Sequence, residues 1–312
     1  MAQAMVRGGR PWWGGVMIRI NSLLPVLAAL LVLTACGAPA AKTPVAGPAV
    51  DGVRITSVTI PSAPAAPAPG SGSGVHAGSL PAGDSGISAA YEVTNNGTAA
   101  LAYTILFDFT TDGGQVMANT QETVRSVGPG ATVRGTVRLG APGPGSSSVT
   151  RVKVSRVTKV PAAEAPPAPG ECPPSGIRVT ADDGDAAMGL RVVGLHLENC
   201  GKRDYALDGY PVLELLDKDR SPVEGVRIVQ GSGGITTGTG FDEPARPLVL
   251  KPGESALSGL MWRNTTESGD VVDVPYVRVR AVRGADPVTV TPHLDLGTTG
   301  LLAVRAWTRP SR

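Results

Sequence analysis

Residues 195–216 read LHLENCGKRDYALDGYPVLELL, and the fold is decided there. Leu195 and Leu197 alternate with His196 and Glu198, a period of two that sends successive side chains to opposite faces of a strand. The alternation stops at Asn199-Cys200-Gly201, a polar turn follows, and Gly209-Tyr210-Pro211 opens a second apolar run. Gly, Pro and Asn impose or tolerate turn backbone at such points. The stretch therefore reads as the middle of a β-domain and not as an active site.

The same plan occurs upstream. YEVTNNGTAALAY from Tyr91 parallels LHLENCGKRDYAL from Leu195, and Val127-Gly128-Pro129-Gly130-Ala131 parallels Leu250-Lys251-Pro252-Gly253-Glu254. Each copy then leads into a strand and later into a Val/Arg alternation, at residues 152–157 and 276–282. Two domains of related topology would produce this pattern, and so would convergence on common turn chemistry.

In the upstream part, alternation predicts strands over residues 53–60, 88–94, 103–110, 115–118, 122–127, 131–139 and 151–157. Asn95-Asn96-Gly97, Asp112-Gly113-Gly114 and Gly128-Pro129-Gly130 supply the turns. Short strands at this spacing predict an immunoglobulin-like sandwich. Residues 61–86, mostly Pro, Ala, Gly and Ser, read as a disordered insertion, and residues 161–170, PAAEAPPAPG, as a Pro-rich linker. The expected fold is all-β, with two immunoglobulin-like β-sandwich domains at residues 51–160 and 171–310.

Composition agrees with this plan. A chain of 312 residues that is 42% hydrophobic supplies apolar side chains for two cores, while 4% aromatics with 41 Gly and 28 Pro favour short strands and turns over long helices. The chain holds 28 basic and 26 acidic residues, and Arg7, Arg10 and Arg19 precede Cys36 with no acidic residue beside them. A chain starting at Cys36 is therefore near neutral, and no basic stripe with interleaved aromatics points to nucleic acid.

From Met17 the sequence runs MIRINSLLPVLAALLVLTACGAP. Its apolar stretch, residues 23–33, is short for a permanent span of about 30 Å of hydrocarbon. Leu33-Thr34-Ala35-Cys36 directly after it resembles the lipobox of bacterial lipoprotein signal peptides, in which the Cys thiol receives a diacylglyceryl group. Residues 1–35 are thus expected to be a signal peptide, with Met17 a more conventional initiator than Met1; an ordinary secretory signal cut nearby, with Cys36 incidental, is the alternative. Cys36 is expected to carry the lipid, and residues 36–50 to form a disordered spacer. Each acyl CH₂ contributes about 0.8 kcal/mol, so two or three chains would hold the protein at a membrane.

Cys172, Asn199-Cys200-Gly201, Leu207, Gly209-Tyr210-Pro211, residues 250–254 and Leu260-Met261-Trp262 together resemble the actinobacterial secreted and lipoprotein family called domain of unknown function 4232, over Cys172 to about Trp307. Many members carry a Cys two residues before the Leu of their Leu-x-Gly-Tyr-Pro motif. Here Tyr205 holds that place, and the Cys stands in the Asn-Cys-Gly turn. The resemblance implies an extracytoplasmic β-sandwich and no known activity.

With Cys36 lipidated, Cys172 and Cys200 remain as an even pair, and a hairpin between them would bring the two ends together. A disulfide is expected, with two buried free thiols as the alternative. Asp182, Asp183 and Asp185 lie at that hairpin's tip, Asp217, Asp219 and Glu224 in another turn, and Asp242-Glu243 at the end of a Gly-rich loop. Residues 217–221 have the odd-position spacing of a calcium loop but lack its Gly at the sixth place and its Glu at the twelfth, so no metal is expected. The loop 230–247 is Gly-rich but has neither the Lys nor the helix of a phosphate loop. Gly231, Gly234, Thr237 and Phe241 are its candidate ligand contacts. Phe241 is expected to plug the loop onto the sandwich in preference to meeting a partner. His76, His196 and His293 lie in three separate regions, His196 is expected to face solvent, and Trp262 and Trp307 are expected in the core.

No catalytic signature of serine, zinc or lysine type is present. The expectation is a non-catalytic, lipid-anchored cell-envelope protein on the outer face of the membrane, without cofactor. Its partners are expected to be the membrane, through the anchor, and an envelope protein or glycan. An extracytoplasmic enzyme, for instance one joining His196 to an aspartate, and a structural spacer are the alternatives.

Overall fold

The computed structural model describes residues 42–44, 48–61, 85–141 and 149–310, and the fold is all-β. The first half contributes β1 (Lys42–Pro44), β2 (Val53–Thr59), β3 (Ser88–Thr94), β4 (Leu101–Thr110), β5 (Val116–Val127), β6 (Thr132–Arg138) and β7 (Arg151–Pro161). One sheet runs β1-β2-β3-β6, the other β5-β4-β7. Their facing sides close a core in which Ile105, Phe107, Phe109 and Val93 are inaccessible to solvent and Tyr91 tilts against Phe107 at 5.0 Å.

The second half contributes β8 (Ile177–Ala181), β9 (Asp185–Ala187), β10 (Leu190–Asn199), β11 (Tyr205–Leu207), β12 (Val212–Leu216), β13 (Arg227–Gln230), β14 (Leu248–Leu250), β15 (Ser255–Arg263), β16 (Asp273–Val274), β17 (Tyr276–Arg280), β18 (Val288–Val290), β19 (Leu294–Asp295) and β20 (Leu301–Val304). A large sheet, β13-β20-β15-β10-β8 with β9 also on β10, faces the smaller sheet β12-β17-β18, while β11-β14 and β16-β19 close the ends. Leu195, Leu197, Leu260, Val277 and Trp307 meet in the space between. Trp262 and Trp307 both lie in this core, their indole N–H groups satisfied by Asp295 Oδ1 at 2.8 Å and the Ala281 carbonyl at 2.9 Å.

Four expectations are corrected. The strands expected at 115–118 and 122–127 are one, β5, because Asn119-Thr120-Gln121 contains no Gly or Pro and stays in register with β4 from Thr104 to Phe109. Residues 42–44, expected within a disordered spacer, form β1, antiparallel to the end of β2. The strand expected to end at Val157 runs to Pro161, because β4 offers partners as far as Leu101. The segment after it, expected to be a linker, is fastened to the second half: the Thr289 amide donates to the Glu164 carbonyl at 2.8 Å. Cys36, the expected signal peptide, residues 62–84 of the expected insertion and His76 lie outside the described residues.

The parallel seen in sequence has a structural counterpart. Asn199 is buried; its amide nitrogen donates to the carbonyls of Arg203 and Leu250, both at 2.8 Å, and its side-chain oxygen accepts from the Gly201 amide at 3.2 Å. Its backbone N–H donates to the Glu254 carbonyl and its own carbonyl accepts from Gly253. Asn95 makes the same set: its side chain bonds the carbonyls of Ala99 and Val127 and the amide of Gly97, and its backbone bonds Ala131 and Gly130. Each asparagine thus clasps its own turn to the remote Pro-Gly turn, where Gly130 and Gly253 sit at φ of 69° and 84°. Residues with a side chain rarely adopt such values.

Removing either amide group leaves buried carbonyls without donors, at a cost of about 1–3 kcal/mol for each such group. Asn199→Ala and Asn95→Ala should each lower unfolding stability by roughly 2–4 kcal/mol in chemical denaturation, whereas Asn96→Ala, beside the buried Asn95 but exposed, should change it little.

Candidate functional site

Cys172 and Cys200 form a disulfide with a Cα–Cα distance of 5.7 Å. Cys172 precedes β8 and Cys200 follows β10 in the clasped turn. The register that pairs Ile177 with Asn199 brings the two together. Gly176 and Gly201 pass so closely there that a Cβ on Gly176 would stand 3.0 Å from the Gly201 Cα.

The loop candidate lies down on the protein. Phe241 is 4% exposed and packs with Met261 and Ala303 on the outer side of the large sheet. Gly259 makes room for it, since a Cβ there would lie 3.2 Å from the ring's Cζ. Asp242 Oδ1 accepts from the Ser232 amide at 2.8 Å and closes the loop's neck, and that bond holds its carboxyl below the usual carboxylate range. Gly231 is buried, while Gly234 and Thr237 remain exposed on the loop's outer rim.

The acidic clusters spend their oxygens on turns. Asp217 Oδ1 accepts from the amides of Asp219 and Ser221, both at 2.8 Å. Asp182 Oδ1 accepts from the amides of Gly184 and Gly194, and its Oδ2 meets His196 Nε2 at 3.1 Å. His196 therefore faces solvent, as expected, and also pairs with an aspartate. Among the described residues no hydroxyl or thiol bonds to His196, so the nucleophile that would donate to the imidazole in a Ser–His or Cys–His pair is not in place there.

Open space collects where the two halves meet. The described residues of both halves belong to one compact unit. Ala102, Val160, Leu216 and Tyr276 share a small apolar cluster across the junction, with Ala165 against it. Glu164 is the latch. Its Oε2 accepts from Arg278 Nε at 2.9 Å and from the Thr289 hydroxyl at 2.7 Å, and Arg278 extends to Glu214 at 2.9 Å.

On one side of this latch is a polar cleft of about 280 Å³, lined by Thr104, Gln121 and Arg156 from the first half and Asp182, Asp183 and His293 from the second. It adjoins a recess of about 530 Å³ that adds Arg191, Asp273 and Asp295. Burial, with help from the Arg156 charge, pushes the His293 imidazole below its ordinary value of 6.5 against the opposing pull of Asp273. On the other side is a wider groove of about 1130 Å³ between the 162–175 segment and the second half, with Ile177, Val179, Tyr205, Val282 and Val288 on its walls.

Sequence reasoning did not find this junction, because its residues come from β4, β7, the Pro-rich segment, β8 and the loop after β17, none of which carries a motif.

With this geometry in place, comparison with known proteins assigns the second half to a class. Residues 172–308 match the family described as Domain of unknown function (DUF4232), and the matched segment is the C-terminal part of the chain. No curated protein matches the chain.

Two outcomes test these descriptions. Labelling of free thiols in the denatured, unreduced protein should leave Cys172 and Cys200 unmodified, and reduction should lower stability by roughly 3–4 kcal/mol. His293 has a folded-state pKa below its unfolded value, so its contribution is fully present above about pH 6.5 and is lost as pH falls through the folded value. His293→Asn suits the backbone φ of 51° at this position; it should flatten the drop in melting temperature between about pH 7.5 and 5.

Proposed function

We propose that this chain is a non-catalytic, lipid-anchored binding protein of the cell envelope, built from two immunoglobulin-like domains with its ligand seat at their junction. The observation that carries this reading is the groove of about 1130 Å³, whose walls are already fixed by the Glu164 latch and by Arg125 donating to the Pro166 carbonyl at 3.0 Å. A preformed concavity with mostly apolar walls and a few polar groups is what ligand binding requires, because little ordering cost is left to meet on association. The Asp182–His196 pair favours catalysis less well, since it contacts no nucleophile among the described residues.

The anchor rests on Leu33-Thr34-Ala35-Cys36. Cys36→Ala should move the protein out of the membrane fraction or strand it as an uncleaved precursor. Fractionation and migration like those of the unaltered chain would remove the anchor from the proposal. Crosslinking in intact cells through a photoreactive residue at Ala285, on the groove's wall, should capture an envelope component; the same residue at exposed Glu224 should not.

A further inference from the structure

The wide groove has three properties that together select a ligand. Its walls are proline and aliphatic side chains, with Pro166 and Pro174 on one side, Val282, Pro287 and Val288 on the other, and the ring of Tyr205 between them. Three carboxylates also line it: Glu164 is spent on Arg278 and Thr289, Glu171 accepts from the Ala168 amide, and Asp286 lies beside Tyr205, so the groups left to meet a ligand's acceptors are donors. The Tyr205 hydroxyl and the Arg283 guanidinium have no hydrogen-bond partner among the described residues, and Arg125 reaches in from the first half. Burial and the nearby Asp286 push the Tyr205 hydroxyl's pKa up, so it keeps its proton and can donate.

A peptide could in principle add to the edge of the large sheet, but the geometry argues against it. Asp182 N donates to the Gly194 carbonyl at 3.1 Å, which fixes the alternation along β8 and turns the backbone groups of Val179 away from β10. Yet Val179 is only 2% exposed, so those groups are covered and do not offer a free edge. The groove must therefore read its ligand through side chains.

The junction already holds one segment in this manner. Ala165 packs on the apolar cluster, Pro166 gives its carbonyl to Arg125, and Glu164 gives its carbonyl to Thr289. This Ala/Pro chain is held there by the Glu164 carboxylate and by the carbonyls of Glu164 and Pro166, and the prolines, lacking N–H, contribute packing and carbonyls but no donors. The groove continues directly from that contact.

We propose that the groove binds an extended Ala/Pro-rich peptide segment of a partner protein in the polyproline II conformation, with its rings against Tyr205 and its carbonyls accepting from Tyr205 and Arg283. Such a peptide has few donors to satisfy and loses little conformational entropy, since it is already extended when free. This rests on the junction being a ligand seat, and narrows it to one class of ligand.

The probe is the capped octapeptide Ac-APAPAPAP-NH₂, titrated into the full chain in detergent with Ac-AGAGAGAG-NH₂ as control. Calorimetry and backbone hydrogen exchange should show saturable binding below about 1 mM, with exchange slowed in residues 282–288 and unchanged at Val179. The glycine peptide should bind at least roughly tenfold more weakly. Tyr205→Phe and, independently, Arg283→Ala at the groove's rim should each weaken the proline peptide by roughly three- to tenfold without shifting the melting temperature. Absence of binding, equal affinity for the glycine peptide, or protection at Val179 in place of residues 282–288 would overturn the assignment. So would concentration-dependent protection of the groove without peptide, which would make a second copy the occupant. If crosslinking from the groove wall captures an envelope component while the octapeptide fails, only the ligand class falls; if both fail, the binding reading falls with it.

Discussion

A single buried amide governs each half of this protein. Asn199 and Asn95 each tie the turn they sit in to a Pro-Gly turn remote in sequence, through side-chain bonds in both directions and a backbone exchange. A β-sandwich must fix which strands face one another before its alternating side chains can bury. Here the clasp does so, aligning the end of β10 with the start of β15 in one half and the end of β3 with the start of β6 in the other. In the second half the disulfide is built onto the same turn, so the covalent staple and the amide clasp reinforce one position.

Much of this was legible in residue order. Asn95-Asn96-Gly97 with Val127–Ala131, and Asn199-Cys200-Gly201 with Leu250–Glu254, showed the parallel between the halves, because the positive φ of Gly130 and Gly253 can be filled by few residue types, but not the bonds by which each asparagine holds its Pro-Gly turn. The pairing of Cys172 with Cys200 followed from a hairpin between them. Phe241 was readable as a plug because a lone aromatic in a glycine-rich loop gains more by burial than by exposure, although nothing in the sequence announced Gly259 as the bare backbone on which it rests.

What sequence did not disclose depends on pairing across long separations. β1 forms because β2 has an unpaired edge nearby, and local composition around Lys42–Pro44 reads as spacer. The 162–167 segment reads as linker for the same reason, and its order comes from Thr289 and Arg278, more than a hundred residues away. The junction's cavities follow from those contacts, and no local pattern encodes them. Residues 115–127 failed differently. A polar stretch between two apolar ones looks like a turn, but an exposed strand is equally polar, and only the partner strand β4 decides between them.

The disulfide also bears on how the groove is held. Cys172 is followed directly by Pro173 and Pro174, which form part of the groove's rim, so the bond to Cys200 ties that rim to the clasped turn. Until the bond forms, the rim is joined to the second half only through the chain on either side of it. The groove's rim is thus secured by a covalent bond on this side and by the Glu164 latch on the other. The two sides of the groove are therefore held by chemically different means, and only one of them answers to a reductant.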